Sequence, residues 1–445
     1  MLNVVITLYI YINLKRMSIS RREFICKSAL LLPALHLSSL YARTNFQSTL
    51  RIGAIGIKGM GWSDLSSILK ISNVSCTAIS DIDDSVIQGR LKDLKELGQN
   101  PKVYKNYQDL LADKEVDAVI IGTPDHWHCL MLVDACQAGK AVYVEKPIGN
   151  SIVECNTMLA AKDKYSSIVQ VGQWQRSQKH FKDAIDFVHS GQLGKIRLVK
   201  AWAYLGWKKR VPVEPDGPVP AGVDYKGWLG PAKTRAFNPN RFHYNFRWYW
   251  DYAGGLMTDW GVHLLDYALL GMKVSDPKSI MAAGGKFAYP DDAGDTPDTL
   301  TTVYEFDDFN IQWEHATSIS GGPYNREHGI AFIGNNGTLV LDRNGWEVIP
   351  EMDRMKAVPY QKKVDNGLDL HMQNFVEAIR TKNSNILNAP LEVGSHIAKF
   401  SQMGNIAYRT GKKIYWEKDK QRFKESEANK LLAAGYYNGY KIPKV

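Results

Sequence analysis

The residues Val142-Tyr143-Val144-Glu145-Lys146-Pro147 describe a buried strand that stops on two opposite charges and a ring. β-Branched and aromatic side chains can be covered on both faces of a sheet. An adjacent acid and base followed by proline, which has no backbone N–H to donate, cannot continue it. In an open parallel sheet ligands gather at the carboxyl ends of the strands, so Glu145 and Lys146 are delivered to the mouth of a site. Pro147 fixes how they point, a cis Lys146–Pro147 bond being one way to do so. A strand-ending ion pair without chemistry has the same local sequence, so the rest of the chain must decide.

Upstream, Leu50 to Ile55 reads as a short buried strand followed directly by Gly56-Ile57-Lys58-Gly59-Met60-Gly61 and a helix from Trp62 to Ile71. Glycines there allow a tight turn and bring backbone N–H groups at a helix start close to a pyrophosphate. Lys58 stands where the usual spacing has a glycine. Either Gly59 takes over the close approach or a cation sits beside the phosphates. A second strand, Val74 to Ser80, ends in Asp81, twenty residues after Gly61. A carboxylate there accepts from ribose hydroxyls and repels a ribose phosphate, which favours NAD over NADP. Strands at Lys102 to Tyr104, Val116 to Gly122 and Ala141 to Val144 complete an α/β alternation that predicts a doubly wound parallel sheet. After the fourth strand come Thr123, Pro124, Asp125, His126 and His128. The two histidines lack the i, i+4 spacing of a helical metal pair and have no third ligand nearby, so no metal is expected.

From Gly172 the pattern changes. A sixth strand at Gln170 turns into a helix running to His189, and then antiparallel strands follow, with Asn335-Asn336-Gly337 and Asn344-Gly345 as hairpin turns. The expected organisation is a leader and linker over 1–48, a Rossmann domain over 49–171, and an α+β domain with an open, largely antiparallel sheet over 172–445. The stretch from Tyr204 to Gly254 is long and aromatic, with Trp207, Trp228, Trp248 and Trp250 among Arg241, Arg247, His243 and Asp251. Rings interspersed with hydrogen-bonding groups suit a sugar, and they equally suit a satellite core or an oligomer contact. Next comes a helix over Leu256 to Leu270 that carries Asp259, His263 and Asp266 on one face.

The net charge of +9 over 445 residues resembles a nucleic-acid signal until the first 42 residues are set aside. They hold a surplus of four positive charges, which leaves about +5 on the rest and no basic stripe. Ser20-Arg21-Arg22-Glu23-Phe24-Ile25 and the apolar run from Ala29 to Leu40 match a twin-arginine export signal, so a periplasmic product is expected, or a cytoplasmic one if the paired arginines are coincidental. Five cysteines without a C-x-x-C pair read as buried thiols.

The succession Gly56 to Gly61, Asp81, Thr123-Pro124 with His128, and Glu145-Lys146-Pro147 resembles the glucose-fructose oxidoreductase and inositol dehydrogenase (Gfo/Idh/MocA) family over essentially everything after the leader. Asp259-x-x-x-His263 matches that family's second catalytic motif. The resemblance implies that Lys146, Asp259 and His263 are catalytic. It implies cofactor binding by Gly56, Lys58, Gly59, Gly61, Asp81, Thr123, Pro124, His126, His128, Glu145 and Lys146. Gln173, Arg176, Arg247, Trp248 and Trp250 are candidate substrate contacts. The expected protein is an exported oxidoreductase with tightly bound NAD, acting on a sugar, glycoside or cyclic polyol and assembling as a homo-oligomer, with no nucleic-acid or membrane partner. Two other readings fit the same residues. One is a glycoside-cleaving enzyme that works through a keto sugar and elimination; the other is a sugar-binding protein that retains a dinucleotide.

Overall fold

The computed structural model describes residues 49–445. The paired arginines, the apolar run after them and the linker, with the export signal expected there, lie outside the described residues. Strands β1 (Leu50–Ile55), β2 (Val74–Ser80), β3 (Lys102–Tyr104), β4 (Ala118–Ile121), β5 (Ala141–Val144) and β6 (Val169–Val171) form a parallel sheet of order β3-β2-β1-β4-β5-β6. Side chains alternate between its faces, so Val119, Ile121, Val142 and Val144 enter one core while Ala118, Ile120 and Tyr143 enter another. Both faces are covered, which is why these strands read as unbroken apolar runs. The helices Asp125–Gln137 and Ile152–Tyr165 cover one face and Gly59–Ile68 the other. Cys76, Cys129, Cys136 and Cys155 are buried free thiols.

The second sheet has ten strands. Its members are β7 (Ile196–Leu205), β8 (Ser279–Gly285), β9 (Thr299–Glu305), β10 (Asn310–Thr317), β11 (His328–Gly334), β12 (Gly337–Leu341), β13 (Gly345–Pro350), β14 (Val358–Lys362), β15 (Ile414–Glu417) and β16 (Arg422–Phe423), in the order β14-β13-β12-β11-β7-β10-β9-β8-β15-β16. All pairings are antiparallel except β7 with β10. The asparagine-glycine turns fall where expected, between β11 and β12 and before β13.

The late helices serve both halves. Gly367–Thr381 sends Met372, Phe375 and Val376 into the core under β1 and β4, and Leu391–Thr410 adds Leu391 and Ala398 to the opposite one. Beyond them Tyr436 donates to Glu154 at 2.7 Å and Tyr440 packs edge-on against Trp127.

Two expected helices differ in form. The helix after β6 is a single 3₁₀ turn, Trp174–Ser177, then Lys179–His189, separated by extended backbone at Gln178. The helix carrying Asp259 and His263 breaks at Trp260 into Gly255–Asp259 and Gly261–Met272. There the His263 N–H donates to Trp260 three residues back, a tighter turn than an α-helix makes, so Asp259 and His263 do not share one regular face. The aromatic stretch contains a short helix, Tyr225–Leu229, and a 3₁₀ turn, Asn245–Trp248.

Candidate active site

Three glycines set the shape of the first turn. Gly56 has φ +76°, a Cβ on Gly61 would lie 1.9 Å from the Gly56 carbonyl oxygen, and one on Gly122 would lie 2.5 Å from Gly61 Cα. The carboxyl ends of β1 and β4 therefore touch backbone to backbone. Gly59 differs, because a Cβ there would meet nothing within 4 Å. The helix Gly59–Ile68 begins beside exposed Lys58 and has no side-chain cap, leaving its first amides open. Such a start suits a pyrophosphate. Asp81 is buried at the end of β2 and accepts from the Ile57 amide at 2.9 Å and the Asp83 amide at 3.2 Å, so it also holds the turn in shape. Its carboxyl is raised by burial against those amides and His243. Open amides, an open Gly59 and an acid closing the turn fit an NAD dinucleotide.

The Lys146–Pro147 bond is cis. His128 joins the two strand ends, with one ring nitrogen 2.8 Å from the Pro147 carbonyl and the other 2.8 Å from that of Thr123. His126 is turned the other way. Its Nε2 lies 3.0 Å from the Trp228 carbonyl, which also accepts from Trp127, so His126 anchors the aromatic stretch on the helix that follows Pro124. Both histidines thus act on this chain's backbone.

Lys146 projects across to the second half. Its Nζ donates to the Asp259 carboxylate at 2.9 Å and the Asp259 carbonyl at 3.0 Å, and Arg247 approaches the same carboxylate at 3.5 Å. Burial raises Asp259, yet Lys146 and Arg247 outweigh it and hold the group at about 2. His263 is buried, its Nδ1 has no partner among the described residues, and its ring lies 6.4 Å from Trp174 and 6.5 Å from Trp260. Burial, then Lys146, Arg343 and His328, drive its proton affinity well below the ordinary range. It is a neutral imidazole beside an ammonium.

Asp259 makes no hydrogen bond to His263, whose Nδ1 has no partner among the described residues. The break at Trp260 separates them, and the carboxylate is engaged by Lys146 and Arg247. Arg176 is likewise not offered to a ligand: Nε and Nη2 form a double hydrogen bond with the Asp266 carboxylate, each at 2.7 Å. Trp248 is buried beneath Lys208, and Trp250 lies under Arg409. Phe246, Trp228, Tyr249 and Tyr252 join the main core of the second half, so this stretch is largely satellite core. Gln173 stays at the sheet mouth with an unpartnered buried Oε1, and Arg247 stays as a counter-cation to Asp259.

Sequence reasoning passed over Asp125, Asp64, Arg343 and His328, and did not foresee how deeply Glu145 is buried. Asp125, at the first turn of its helix, is pushed up to about 8 by burial despite Arg247. Beneath the site, Asp64 is wholly buried with both oxygens unpartnered, and burial and then Glu145 raise it. Glu145 itself is pushed up to about 7 by burial despite Lys146. Arg343 lies in the turn between β12 and β13 and His328 opens β11, and both charges bear on His263. Asp125 carried a signal in directly following Thr123-Pro124 at a strand end, whereas the other three become neighbours only through the fold.

Two family models match the chain: one described as oxidoreductase family, NAD-binding Rossmann fold, over residues 50–173, and one described as oxidoreductase family, C-terminal alpha/beta domain, over 182–442. An uncharacterized oxidoreductase, YrbE, of Bacillus subtilis is 28% identical over 56% of this chain and 62% of its own length. Myo-inositol 2-dehydrogenase of Thermotoga maritima is 28% identical over 34% of this chain and 44% of its own. The chain thus spans about half the length of these relatives. Among solved structures, levoglucosan dehydrogenase in complex with NADH shares the fold with a TM-score of 0.64 at 16% identity, covering 82% of this chain and 98% of that one.

Proposed function

For a chain that belongs to the Gfo/Idh/MocA oxidoreductase family, we propose the NAD-dependent oxidation or reduction of a hydroxyl-bearing carbon of a sugar or cyclic polyol. One observation carries this reading: Lys146, delivered by the end of β5, meets Asp259 from the other half beside a buried, neutral His263. The turn Gly56 to Gly61 and Asp81 would hold the dinucleotide, which when bound supplies the hydride acceptor or donor. His263 takes the hydroxyl proton, because a neutral imidazole excluded from water can accept it. Lys146 stabilises the oxygen as negative charge develops on it, and Asp259 with Arg247 fixes the direction of the ammonium. Sugar and inositol enzymes among the relatives and fold neighbours support this substrate class.

The test is a carbohydrate panel read by both nicotinamide absorbance and product mass. Absorbance change in proportion to product supports a dehydrogenase. Product without net NADH supports the keto-sugar elimination cycle instead, and dinucleotide binding without turnover of any sugar would leave a binding protein.

The twin-arginine pattern further supports export of an already folded holoenzyme. A periplasmic enzyme without a dependable dinucleotide pool must retain its cofactor. Protein purified without added cofactor and then denatured should release nearly one dinucleotide per chain; an empty protein that binds NAD weakly would remove both retention and export. Exposed Met281, Ile349 and Tyr360 on the ten-stranded sheet support a homo-oligomer through that sheet, which light scattering would test.

A further inference from the structure

Beside Trp174 lies a cavity of about 520 Å³ whose lining includes His328, Arg343 and Lys363 together with one carboxylate, Asp365. Arg343 belongs to the turn between β12 and β13. Its guanidinium lies 5.2 Å from the Trp174 ring and 4.5 Å from the Trp260 ring, the two indoles that also flank His263. Rings hold the flat faces of a guanidinium and leave its in-plane donors unsatisfied. The Nε of Arg343 is buried with no acceptor among the described residues, and its Nη2 has only a long 3.5 Å contact to Gln175.

Among the described residues Arg343 forms no salt bridge, and three neighbouring carboxylates have other partners. Asp342 takes Arg326 and the amides of Asn344 and Gly345. Asp365 takes the Lys179 amide and the Gln178 side chain. Asp259 is held by Lys146 and Arg247. Burial without a partner lowers Arg343 to about 10. An unneutralised guanidinium in a roomy cavity is costly to the protein alone and useful toward an anion.

We propose that this cavity receives an anionic substituent of the substrate, a carboxylate or a sulfate ester on the sugar, with Arg343 as its bidentate partner and Lys363 at the rim. The proposal rests on the reading that His263 acts on a sugar carbon and names the class of that sugar: acidic. Docking an anion there also cancels one of the positive charges that disfavour proton uptake by His263. The correct substrate therefore makes its own base stronger.

The experiment uses the holoenzyme and matched methyl glycosides of glucose, galactose and mannose in neutral, 6-sulfate and uronate forms, followed by calorimetric titration, nicotinamide absorbance and product mass. In the wild type at least one acidic form should bind roughly 10–100-fold tighter than its neutral partner, as one charge-assisted pair permits, and added salt should shrink the difference. Arg343→Met should abolish the preference, and Arg343→Lys, which keeps charge but loses the fork, should retain part of it; retained dinucleotide reports that each variant is folded. Neutral sugars bound as tightly as acidic ones, or a preference that survives Arg343→Met, overturns the proposal while leaving the oxidoreductase reading intact. If Arg343→Met does not fold, the wild-type ratio, its salt dependence and Arg343→Lys decide. Failure to bind or convert any sugar overturns both.

Discussion

The ammonium of Lys146 holds Asp259 at two points, carboxylate and backbone carbonyl, 2.9 and 3.0 Å away. This contact joins the end of β5 to the helix turn that precedes His263, so it sets both charge and position. Replacing Lys146 with Met should lower turnover about 10²–10³-fold, the usual effect of removing one stabilising donor. Dinucleotide binding, followed by fluorescence titration, should persist. Lys146→Arg should not restore the rate, because a planar fork cannot reproduce a single ammonium that contacts two oxygens of one residue.

His263→Asn should lower turnover about 10²–10⁴-fold in a folded protein. The imidazole must be deprotonated to act as base, so activity rises with pH as it loses its proton. Burial and the charges of Lys146, Arg343 and His328 hold that event below the ordinary histidine range. The acid limb of the rate profile should therefore lie below the ordinary histidine range in the wild type and move upward in Arg343→Met, which removes one of the charges that lower it. An unmoved limb would assign it to another group.

Gly61 and Gly59 should respond differently to the same change. Gly61→Ala places a methyl group against the Gly56 carbonyl oxygen and should destabilise the turn and the protein. Gly59→Ala meets open space in the chain, so thermal stability without cofactor should be nearly unchanged while NAD affinity falls at least ~10-fold, about 1.4 kcal/mol. Isothermal titration with scanning calorimetry separates the two effects.

Arg176 and Asp266 form a nearly buried pair, with side chains 15% and 4% exposed. Asp266→Ala leaves a guanidinium without its partner and should cost about 3–5 kcal/mol in denaturant unfolding. KM for a substrate should hardly change in the folded fraction. A large rise in KM instead would return Arg176 to the substrate contacts.

The part of the stability that Glu145 and Asp125 contribute should fall as pH rises from about 4 to 8. Unfolded carboxyl groups lose their protons near pH 4, whereas burial keeps Glu145 and Asp125 protonated in the folded chain up to about 7 and 8, so the folded state holds more protons across this window. Asp259, depressed to about 2, adds stability above the unfolded carboxyl value, and that part is lost only in acid. Urea unfolding should show Asp125→Asn gaining more at pH 8 than at pH 5.

Much of the first half was legible because the relevant physics is local. Runs such as Ala118–Ile121 and Ala141–Val144 are apolar at every position, glycines mark the turn after β1, and Pro147 marks where β5 must stop. The sheet mouth and Lys146 follow from those signals. The second half was legible as strands and turns but not as a site. Arg176 meets Asp266 across ninety residues, and Arg343 meets Trp174 across the hairpin and the 3₁₀ turn, pairings that no spacing rule encodes. The kink at Trp260 was hidden because Asp259-x-x-x-His263 has the spacing of a regular helix. The aromatic stretch has the composition of a sugar platform, and only burial tells a platform from a core.

The helices Gly367–Thr381 and Leu391–Thr410 and the Tyr436–Tyr440 stretch complete the cores on both faces of the β1–β6 sheet. These segments follow the β1–β6 strands in the chain by some two hundred residues. The dinucleotide half is thus complete only once the segments that follow β14 have been made and have folded back onto it, so its loading with cofactor waits for them.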